Sequence, residues 1–490
     1  MTTVIQRCVL QVQATLHTCP CGRRIPLPLY PAANKIPLLG WTNAISRSRR
    51  EPNLTLTPLM LSSSGFFSVH IMSGIKATKC KALLRVLIPW VLLTNVMVVL
   101  YCLRNPNQVK LSDSQEDTCP LGVAKLQNKS LIKQTHSEEC SPKVNVMFMK
   151  THKTASSTIL NILFRFGEKH KLRFAFPDGR NDFFYPSPFL CSQVKDYKPG
   201  ECFNIVCNHM RFDHQEVSKL LPPDSVYVTI LRDPVDLFES SFHYYHKAVP
   251  LTWRIRGENK LAEFLNNPWA FYSPEAFNSF YLKNLLFFDF GLDNNLKADD
   301  PRVMTEIKNL SRRFHLVLVA EYFEESLILL KDLLCWTMED ILYFKLNARK
   351  SSSMSHLDAE MRAKALQWNG ADWKLYQYFN GTFWARVEAY GRERMKQEVE
   401  ELRRRNAEMK DICIEGGGAV EAQKIQNRRF LPWQPVGESS ILGYNIKKDV
   451  DPRFRTVCEK MLTPEIQYLS ELGVSLWLTR LWGWLKDAIY

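Results

Sequence analysis

Hydrophobic and polar residues follow a repeating strand and helix pattern in the second part of the chain. The apolar run 144–149 is rich in strand-forming residues, and 159–166 then carries apolar residues at helical spacing. The same pattern predicts further strands over 203–207, 226–231 and 315–320, and further helices over 234–245 and 324–334. Strands separated by helices predict an α/β fold with a central parallel sheet flanked by helices on both faces.

The strongest apolar stretch lies earlier, over 83–103, and is long enough to span a bilayer as a helix. Lysines precede it more densely than basic residues follow it, which predicts a type II signal anchor with a cytosolic N-terminus. The expected organisation is therefore a cytoplasmic tail over 1–82, a luminal stem over 104–143 and a luminal domain with a helical C-terminal part over 144–490. Residues 1–71 are either a disordered part of the tail or an extension upstream of a start at Met72.

A luminal location has consequences for asparagines and cysteines. Asn128, Asn309 and Asn380 stand in N-x-[ST] sequences and become predicted glycosylation sites. Eight cysteines follow the proposed anchor, so disulfides are expected, although their pairing stays open. No C-x-x-C pair occurs among those eight cysteines, and no metal site is predicted.

The chain carries a formal net charge of +14, with its lysines and arginines dispersed. A basic surface suits an anionic small molecule or a membrane as well as nucleic acid. Zinc-finger spacing, an RNP-like aromatic signature and a basic recognition helix are not found in the sequence, so nucleic acid is disfavoured as a partner.

The segment between the first predicted strand and helix has the composition of an anion cradle. A strand that feeds a helix through a tight turn points several backbone N–H groups at one place, where the helix N-terminus adds partial positive charge. Lys153 supplies a full charge, and hydroxyls follow closely at Thr154, Ser156, Ser157 and Thr158. The Walker A pattern is absent, so the expected ligand is a phosphate or sulfate held by another type of loop.

A second candidate anion site follows the strand 226–231. Arg232 stands at the strand's end, Pro234 suits the first turn of the next helix, and Ser240 lies about two turns into that helix. A planar guanidinium and a helical hydroxyl can hold a phosphate together. A structural arginine–aspartate pair with a buried serine explains this segment equally well.

Together these segments resemble the 5′-phosphosulfate loop and the 3′-phosphate motif of sulfotransferases that use 3′-phosphoadenosine 5′-phosphosulfate (PAPS). Further segments resemble the galactose-3-O-sulfotransferase family from about residue 144 to the C-terminus. These are Lys150-Thr-His-Lys-Thr-Ala-Ser-Ser-Thr, Cys207-Asn-His-Met-Arg-Phe, Ile230-Leu-Arg-Asp-Pro, Tyr343-Phe-Lys-Leu-Asn-Ala-Arg, Ile441-Leu-Gly-Tyr-Asn and Leu462-Thr-Pro-Glu-Ile-Gln-Tyr.

The resemblance implies a P-loop-like PAPS sulfotransferase fold in a Golgi membrane enzyme. It implies that Arg232 and Ser240 hold the 3′-phosphate of PAPS. Transfer to the 3-hydroxyl of β-galactose is implied, and Phe174-Ala-Phe-Pro-Asp-Gly-Arg and Val249-Pro-Leu-Thr-Trp favour members that act on galactosylceramide and related galactolipids. The implied ligands of the 5′-phosphosulfate are Lys153, Thr154, Ala155, Ser156, Ser157 and Thr158.

Sulfuryl transfer needs stabilised oxyanions and a base for the incoming hydroxyl, and the sequence offers two histidines for the latter. His152 adjoins Lys153, and His209 follows another predicted strand. We favour His152 as the base and His209 as a residue that positions the acceptor, with Lys153 neutralising charge. A purely structural hydrogen-bonding role for either histidine stays open.

Several features carry weaker expectations. Lys345 and Arg349 are candidate contacts of nucleotide or acceptor, whereas core packing is favoured for Phe174, Phe176, Trp253 and Tyr245 over stacking on a sugar. Residues 386–411 are predicted as one long charged helix, with a homo-oligomer contact as an open alternative. The tryptophan-rich C-terminus is expected either to pack on the domain or to enter the membrane interface.

Three rival functions differ from the favoured one. They are the same transfer to galactose of glycoproteins, a P-loop kinase and a non-catalytic glycolipid-binding membrane protein. The missing Walker A pattern disfavours the kinase, and the presence of Lys153, Arg232 and Ser240 disfavours the binding protein.

Overall fold

A computed structural model describes residues 140–437 and 439–489. These residues belong to one compact unit, Lys110–Tyr490. The predicted anchor at 83–103, most of the stem and Asn128 lie outside the described residues. Within the described ranges, no helix has both the length and the apolar character needed to cross a membrane.

Five parallel strands form the central sheet, in the spatial order β2-β3-β1-β4-β5. They are β1 (Val146–Met149), β2 (Phe174–Ala175), β3 (Ile205–Val206), β4 (Val226–Leu231) and β5 (Leu316–Val319). The predicted parallel sheet is confirmed, and β2 is a strand that the hydrophobic pattern did not indicate. Met149 pairs with Thr229, and Leu231 pairs with Val319, so β1, β4 and β5 end near one edge of the sheet.

Helices flank this sheet and form most of the C-terminal part. In chain order they are α1 (Ser156–Lys169), α2 (His214–Ser218), α3 (Pro234–Tyr245), α4 (Lys260–Asn266), α5 (Pro268–Phe271), α6 (Leu285–Asp289), α7 (Pro301–Arg313), α8 (Phe323–Leu334), α9 (Ala359–Trp368), α10 (Gly370–Tyr390), α11 (Arg392–Cys413), α12 (Pro452–Leu462), α13 (Glu465–Glu471) and α14 (Trp477–Ile489). A two-stranded antiparallel sheet pairs β6 (Val420–Glu421) with β7 (Leu442–Gly443).

The core lies around β1, β4 and the buried face of α1. Every residue of β1 and β4 is buried, as expected for strands covered on both faces. Phe164 of α1 meets Phe174 and Phe176 edge to face, with ring centroids 5.8 and 6.2 Å away. These two phenylalanines therefore pack in the core, as favoured from the sequence.

Helix α3 begins as the sequence predicts. Pro234 occupies its first turn, and the Asp233 carboxylate caps it by accepting the N–H of Val235 at 2.8 Å. Because β4 ends only three residues earlier, this cap fixes the direction in which α3 leaves the sheet edge.

The prediction of a single long helix over 386–411 is wrong. Gly391 separates α10 from α11 with φ of 98°, a backbone conformation that side-chain-bearing residues rarely adopt. Its N–H bonds the carbonyls of Val387 and Glu388 and so ends α10. A glycine inside a charged helical pattern was the signal for this break.

Disulfides resolve part of the pairing that the sequence left open. Cys140 is bonded to Cys335, and Cys413 is bonded to Cys458. The first ties the beginning of the described region to the end of α8, and the second ties α11 to α12. Cys191 and Cys207 are free thiols.

Candidate active site

The turn from β1 to α1 brings a lysine and uncapped helical amides to the sheet edge. Lys153 and Ala155 both have positive φ, 58° and 63°, which costs about 1–3 kcal/mol per residue and recurs at ligand sites. Ala155 occupies the N-cap of α1, where it provides no side-chain oxygen for the first-turn amides. The strained turn therefore leaves those amides for an anion.

The hydroxyl side chains of the turn mostly brace the turn itself. Thr154 Oγ1 and Ser156 Oγ both donate to the carbonyl oxygen of Thr151, at 3.2 and 2.8 Å. Thr158 Oγ1 accepts the N–H of Leu346 at 3.2 Å, and Ser157 Oγ donates to Glu465 at 3.2 Å. In this conformation the turn offers backbone amides and Lys153 more directly than hydroxyls, and direct ligation by these hydroxyls stays a prediction.

Lys153 and Arg232 lie together although 79 residues separate them. Arg232 Nη1 donates to the carbonyl oxygen of Lys153 at 3.1 Å, and Lys153 Nζ lies 3.9 Å from the ring centroid of Tyr244. Burial of the ammonium group, with the charges of Arg349 and Arg232 nearby, lowers the pKa of Lys153 to about 7. This combination of repelling cations favours an anionic ligand between them.

Ser240 is buried on α3, two turns beyond Arg232. Its neighbour Glu239 is also buried and forms an ion pair with Arg349. Of the two weaker candidates, Arg349 thus joins the cation cluster, whereas Lys345 is exposed.

His152 is fixed by a buried carboxylate. Its Nδ1 lies 2.8 Å from Asp289 Oδ1, and its backbone N–H donates to Asp289 Oδ2 at 2.8 Å. Tyr185 Oη donates to the same carboxylate at 2.8 Å. The Asp289 carboxylate accepts from the Nδ1–H of His152 in this contact, which leaves Nε2 as the basic nitrogen of the ring.

His209 stacks on His152, with ring centroids 4.0 Å apart. Its Nδ1 lies 3.2 Å from the carbonyl oxygen of Lys150, so its Nδ1–H donates there. Burial and the neighbouring His152 and Lys150 hold the pKa of His209 well below its ordinary value. The carboxyl ends of the strands thus place His209 against His152, which adjoins Lys153, and burial keeps His209 neutral.

Comparisons with known proteins identify the family of this chain. A family model described as galactose-3-O-sulfotransferase matches residues 69–476. The chain belongs to the galactose-3-O-sulfotransferase family. It is 57% identical to galactosylceramide sulfotransferase of Mus musculus over 350 residues, which cover 71% of this chain and 83% of that protein.

Two further relatives show that the sequence identity differs between the two kinds of sulfotransferase. Galactosylceramide sulfotransferase of Homo sapiens is 57% identical over 351 residues, covering 72% of this chain and 83% of that protein. Galactose-3-O-sulfotransferase 2 of Homo sapiens is 42% identical over 338 residues, covering 68% of this chain and 84% of that protein. The chain is accordingly a sulfotransferase.

Asp289 is a site residue of this sulfotransferase that sequence reasoning missed. It ends α6, whose first turn is held by Asp372 through the N–H groups of Leu286 at 3.0 Å and Phe287 at 2.9 Å. The available signal was a lone carboxylate in the apolar run Leu285-Leu-Phe-Phe-Asp-Phe. A buried aspartate in such a run needs a donor, and His152 and Tyr185 are its donors.

Glu465 was missed as well, although its motif was noted. Its carboxylate lies at the start of α13 and accepts from Lys150 Nζ at 2.5 Å, as well as from Ser157. Lys150 is almost fully buried, so this pair neutralises a charge beneath the turn. The C-terminal segment thereby helps to shape the turn after β1.

Aromatic side chains lie beside the His152 ring. Tyr245 stacks on Tyr281 with ring centroids 3.7 Å apart, and the two rings lie 6.0 and 5.6 Å from His152. Trp253 is not among these rings: the residue is 43% exposed, and its Nε1 donates to the carbonyl oxygen of Lys247. The core role favoured for Trp253 is therefore wrong, whereas Tyr245 packs among rings beside the candidate base.

The remaining predicted sites are outside this constellation. Among the described residues, no group of three or more His, Cys, Asp or Glu side chains could hold a metal ion. Asn309 lies on α7, where its amide interacts with Glu306 and Arg312, and Asn380 lies on α10. Glycosylation of these two asparagines stays a prediction.

Proposed function

We propose that this sulfotransferase moves a sulfuryl group from PAPS to the 3-hydroxyl of β-galactose in galactosylceramide and related galactolipids, which gives sulfatide. One observation carries the proposal: His152, which Asp289 holds in place, lies next to the cation cluster of Lys153 and Arg232. A base and an anion site on neighbouring residues are what transfer of an anionic group to a hydroxyl requires.

The cation cluster fits the proposed donor. PAPS, when bound, supplies the sulfuryl group. Lys153 and the backbone amides at the start of α1 would hold its 5′-phosphosulfate, and Arg232 with Ser240 would hold its 3′-phosphate. The lowered pKa of Lys153 and the uncapped start of α1 support this fit. A bound anion would stabilise the charged form of Lys153 and accept hydrogen bonds from the free amides of α1.

His152 performs the proton transfer in this proposal. Its Nε2 takes the proton of the galactose 3-hydroxyl as the hydroxyl oxygen forms its bond to sulfur. Asp289 stabilises the imidazolium that results, and Lys153 stabilises the negative charge left on the departing phosphate. His209, kept neutral and stacked on His152, positions the ring and the acceptor.

Exposed tryptophans on α14 support a lipid acceptor. Trp477, Leu481 and Trp484 follow one another at helical spacing along one face and are 62, 43 and 66% exposed. The same helix is attached to the domain: Gly483 allows Trp433 to approach it closely, and the N–H of Leu478 donates to the carbonyl oxygen of Gly179. Tryptophans presented in this way favour insertion into the membrane interface that holds the ceramide of the acceptor.

A matched pair of variants tests the role of α14. Trp477→Ser with Trp484→Ser should lower transfer to galactosylceramide in vesicles about tenfold or more, because each indole that enters the membrane interface contributes strongly to binding there. Transfer to a soluble β-galactoside should stay unchanged, and the exposed Trp269→Ser serves as the control. Equal losses with both acceptors would show that α14 acts by packing alone.

The proposed location is the Golgi membrane, as a type II protein with the span 83–103 and a luminal catalytic domain. The disulfides Cys140–Cys335 and Cys413–Cys458 support it, because such bonds form and persist in an oxidising compartment. Protease protection of the domain in sealed vesicles, with digestion after detergent, is the expected result. Digestion without detergent would contradict the luminal location.

The activity itself is tested with sulfate-labelled PAPS and the full chain in detergent. Galactosylceramide, a soluble β-galactoside and a galactose-bearing glycoprotein are the acceptors. We expect preferred labelling of galactosylceramide at the 3-hydroxyl. Preferred labelling of the glycoprotein would overturn the acceptor, and labelling of none by a protein that binds PAPS would overturn the activity.

A further inference from the structure

Arg349 is a buried arginine with hydrogen-bonding groups that remain unused. Its side chain is only 9% exposed, and one terminal nitrogen pairs with Glu239. Its Nε and Nη1 are buried and have no hydrogen-bond partner. Buried N–H groups of a charged side chain are costly to leave unsatisfied, which points to a ligand that completes them.

The backbone of Arg349 is fixed as firmly as its side chain. Arg349 forms an antiparallel bridge with Ile441, flanked by hydrogen bonds from Leu442 N–H to the Ala348 carbonyl at 2.8 Å and from Lys350 N–H to the Ser440 carbonyl at 2.9 Å. Glu239 also accepts the N–H of Ser355 at 2.9 Å. The segment 349–355 is therefore tied to α3 at both ends, and the guanidinium is held in place before any ligand binds.

The position of Arg349 indicates which ligand group it meets. Glu239 immediately precedes Ser240 on α3, and Arg349 is the nearby charge with the largest influence on Lys153. The cluster has three cations, Lys153, Arg232 and Arg349, and the carboxylates that interact with them are Glu239 and Glu321, so an excess of positive charge remains. A phosphate dianion offers terminal oxygens for two N–H groups of one guanidinium.

We propose that Arg349 is a donor-binding residue that gives its Nε–H and Nη1–H to the 3′-phosphate of the nucleotide, while Glu239 holds the guanidinium in the required orientation. This inference rests on the proposed use of PAPS. It adds to Arg232 and Ser240 a third ligand from a segment more than a hundred residues away in sequence.

The test is calorimetric binding to the full chain in detergent, with adenosine 3′,5′-bisphosphate and adenosine 5′-phosphate as probes. Arg349→Lys retains one charge for Glu239 but lacks the two N–H groups. It should weaken binding of the bisphosphate about tenfold and leave that of the monophosphate unchanged. The control is Arg362→Lys, because the 44% exposed Arg362 of α9 pairs with Asp236 of α3, the helix that also carries Glu239. Neither affinity should change in this control.

A second variant guards against misfolding. Arg349→Gln combined with Glu239→Gln removes both buried charges together and should show the same selective loss for the bisphosphate. Unchanged bisphosphate affinity in both variants, or an equal loss for both probes, would overturn the inference. Two other results would instead count against the proposed donor. One is a wild type that does not bind the bisphosphate, and the other is a Lys153→Ala variant that binds it as tightly as the wild type.

Discussion

The donor side and the base side of the site are built in different ways. On the donor side, Lys153 and the amides of the β1–α1 turn come from one short stretch, and Arg232 joins them from the end of the neighbouring strand. On the base side, His152 adjoins Lys153, but its orientation depends on Asp289, which is 137 residues away. Lys153 thus owes its position to the local turn, whereas the adjacent His152 owes its orientation to packing against a residue distant in sequence.

This difference explains how one turn can serve two purposes. Backbone amides at a helix start need only the correct turn, because the chain itself aims them. A histidine that acts as a base needs a fixed ring and a defined tautomer, which only a partner outside the turn can provide. Variants that act on one side alone can therefore separate donor binding from proton transfer.

The largest effect is expected for Lys153→Ala, which damages the donor side. The loss of charge at the leaving phosphate and in donor binding together should lower kcat/KM for PAPS by about 10³- to 10⁴-fold. Initial rates at varied PAPS measure it, and Lys345→Ala is the control because Lys345 is an exposed lysine. A loss below tenfold would contradict the proposed role.

His152→Ala should damage the base side and spare the donor side. We expect a fall in kcat of about 10²- to 10³-fold, as is usual for loss of a general base, with the affinity for adenosine 3′,5′-bisphosphate unchanged. His209→Ala should reduce kcat less. If His209→Ala proves the more damaging of the two, His209 is the base and the ranking is reversed.

Asp289→Asn should have an intermediate effect, because the base remains but its tautomer is no longer imposed. A decrease in kcat of about 10- to 100-fold is expected, and Tyr185→Phe should cost less because it removes one hydrogen bond to the same carboxylate. The pH dependence of kcat distinguishes this role from a structural one. An unchanged pH profile together with a lowered melting temperature would show that Asp289 serves folding only.

The smallest effect is a pH dependence of donor binding. Because the pKa of Lys153 is lowered to about 7 in the free protein, an anionic donor must restore its proton above that pH. Affinity for adenosine 3′,5′-bisphosphate should therefore fall as pH rises above 7, by up to about tenfold per unit. Lys153→Arg should remove this slope, since arginine stays charged; a slope that persists would place the titrating group elsewhere.

Regular elements near the site could be predicted because their signals are local. The strand 226–231 and the helix 234–245 have the bounds that the pattern indicated, since a buried apolar run and a proline-started helix with an aspartate cap are complete within a few residues. Strand β2 was not predicted, because a two-residue strand carries too short a pattern to be distinguished from a loop.

The sequence by itself determined the alternating α/β order, the two anion motifs and the family to which they belong. Only the tertiary structure decided that Asp289 holds His152, that Arg349 rather than Lys345 joins the cations, and that Cys140 pairs with Cys335 and Cys413 with Cys458. The reason is physical. A parallel sheet brings the ends of strands far apart in sequence to one edge, and a buried side chain finds its partner by packing in three dimensions.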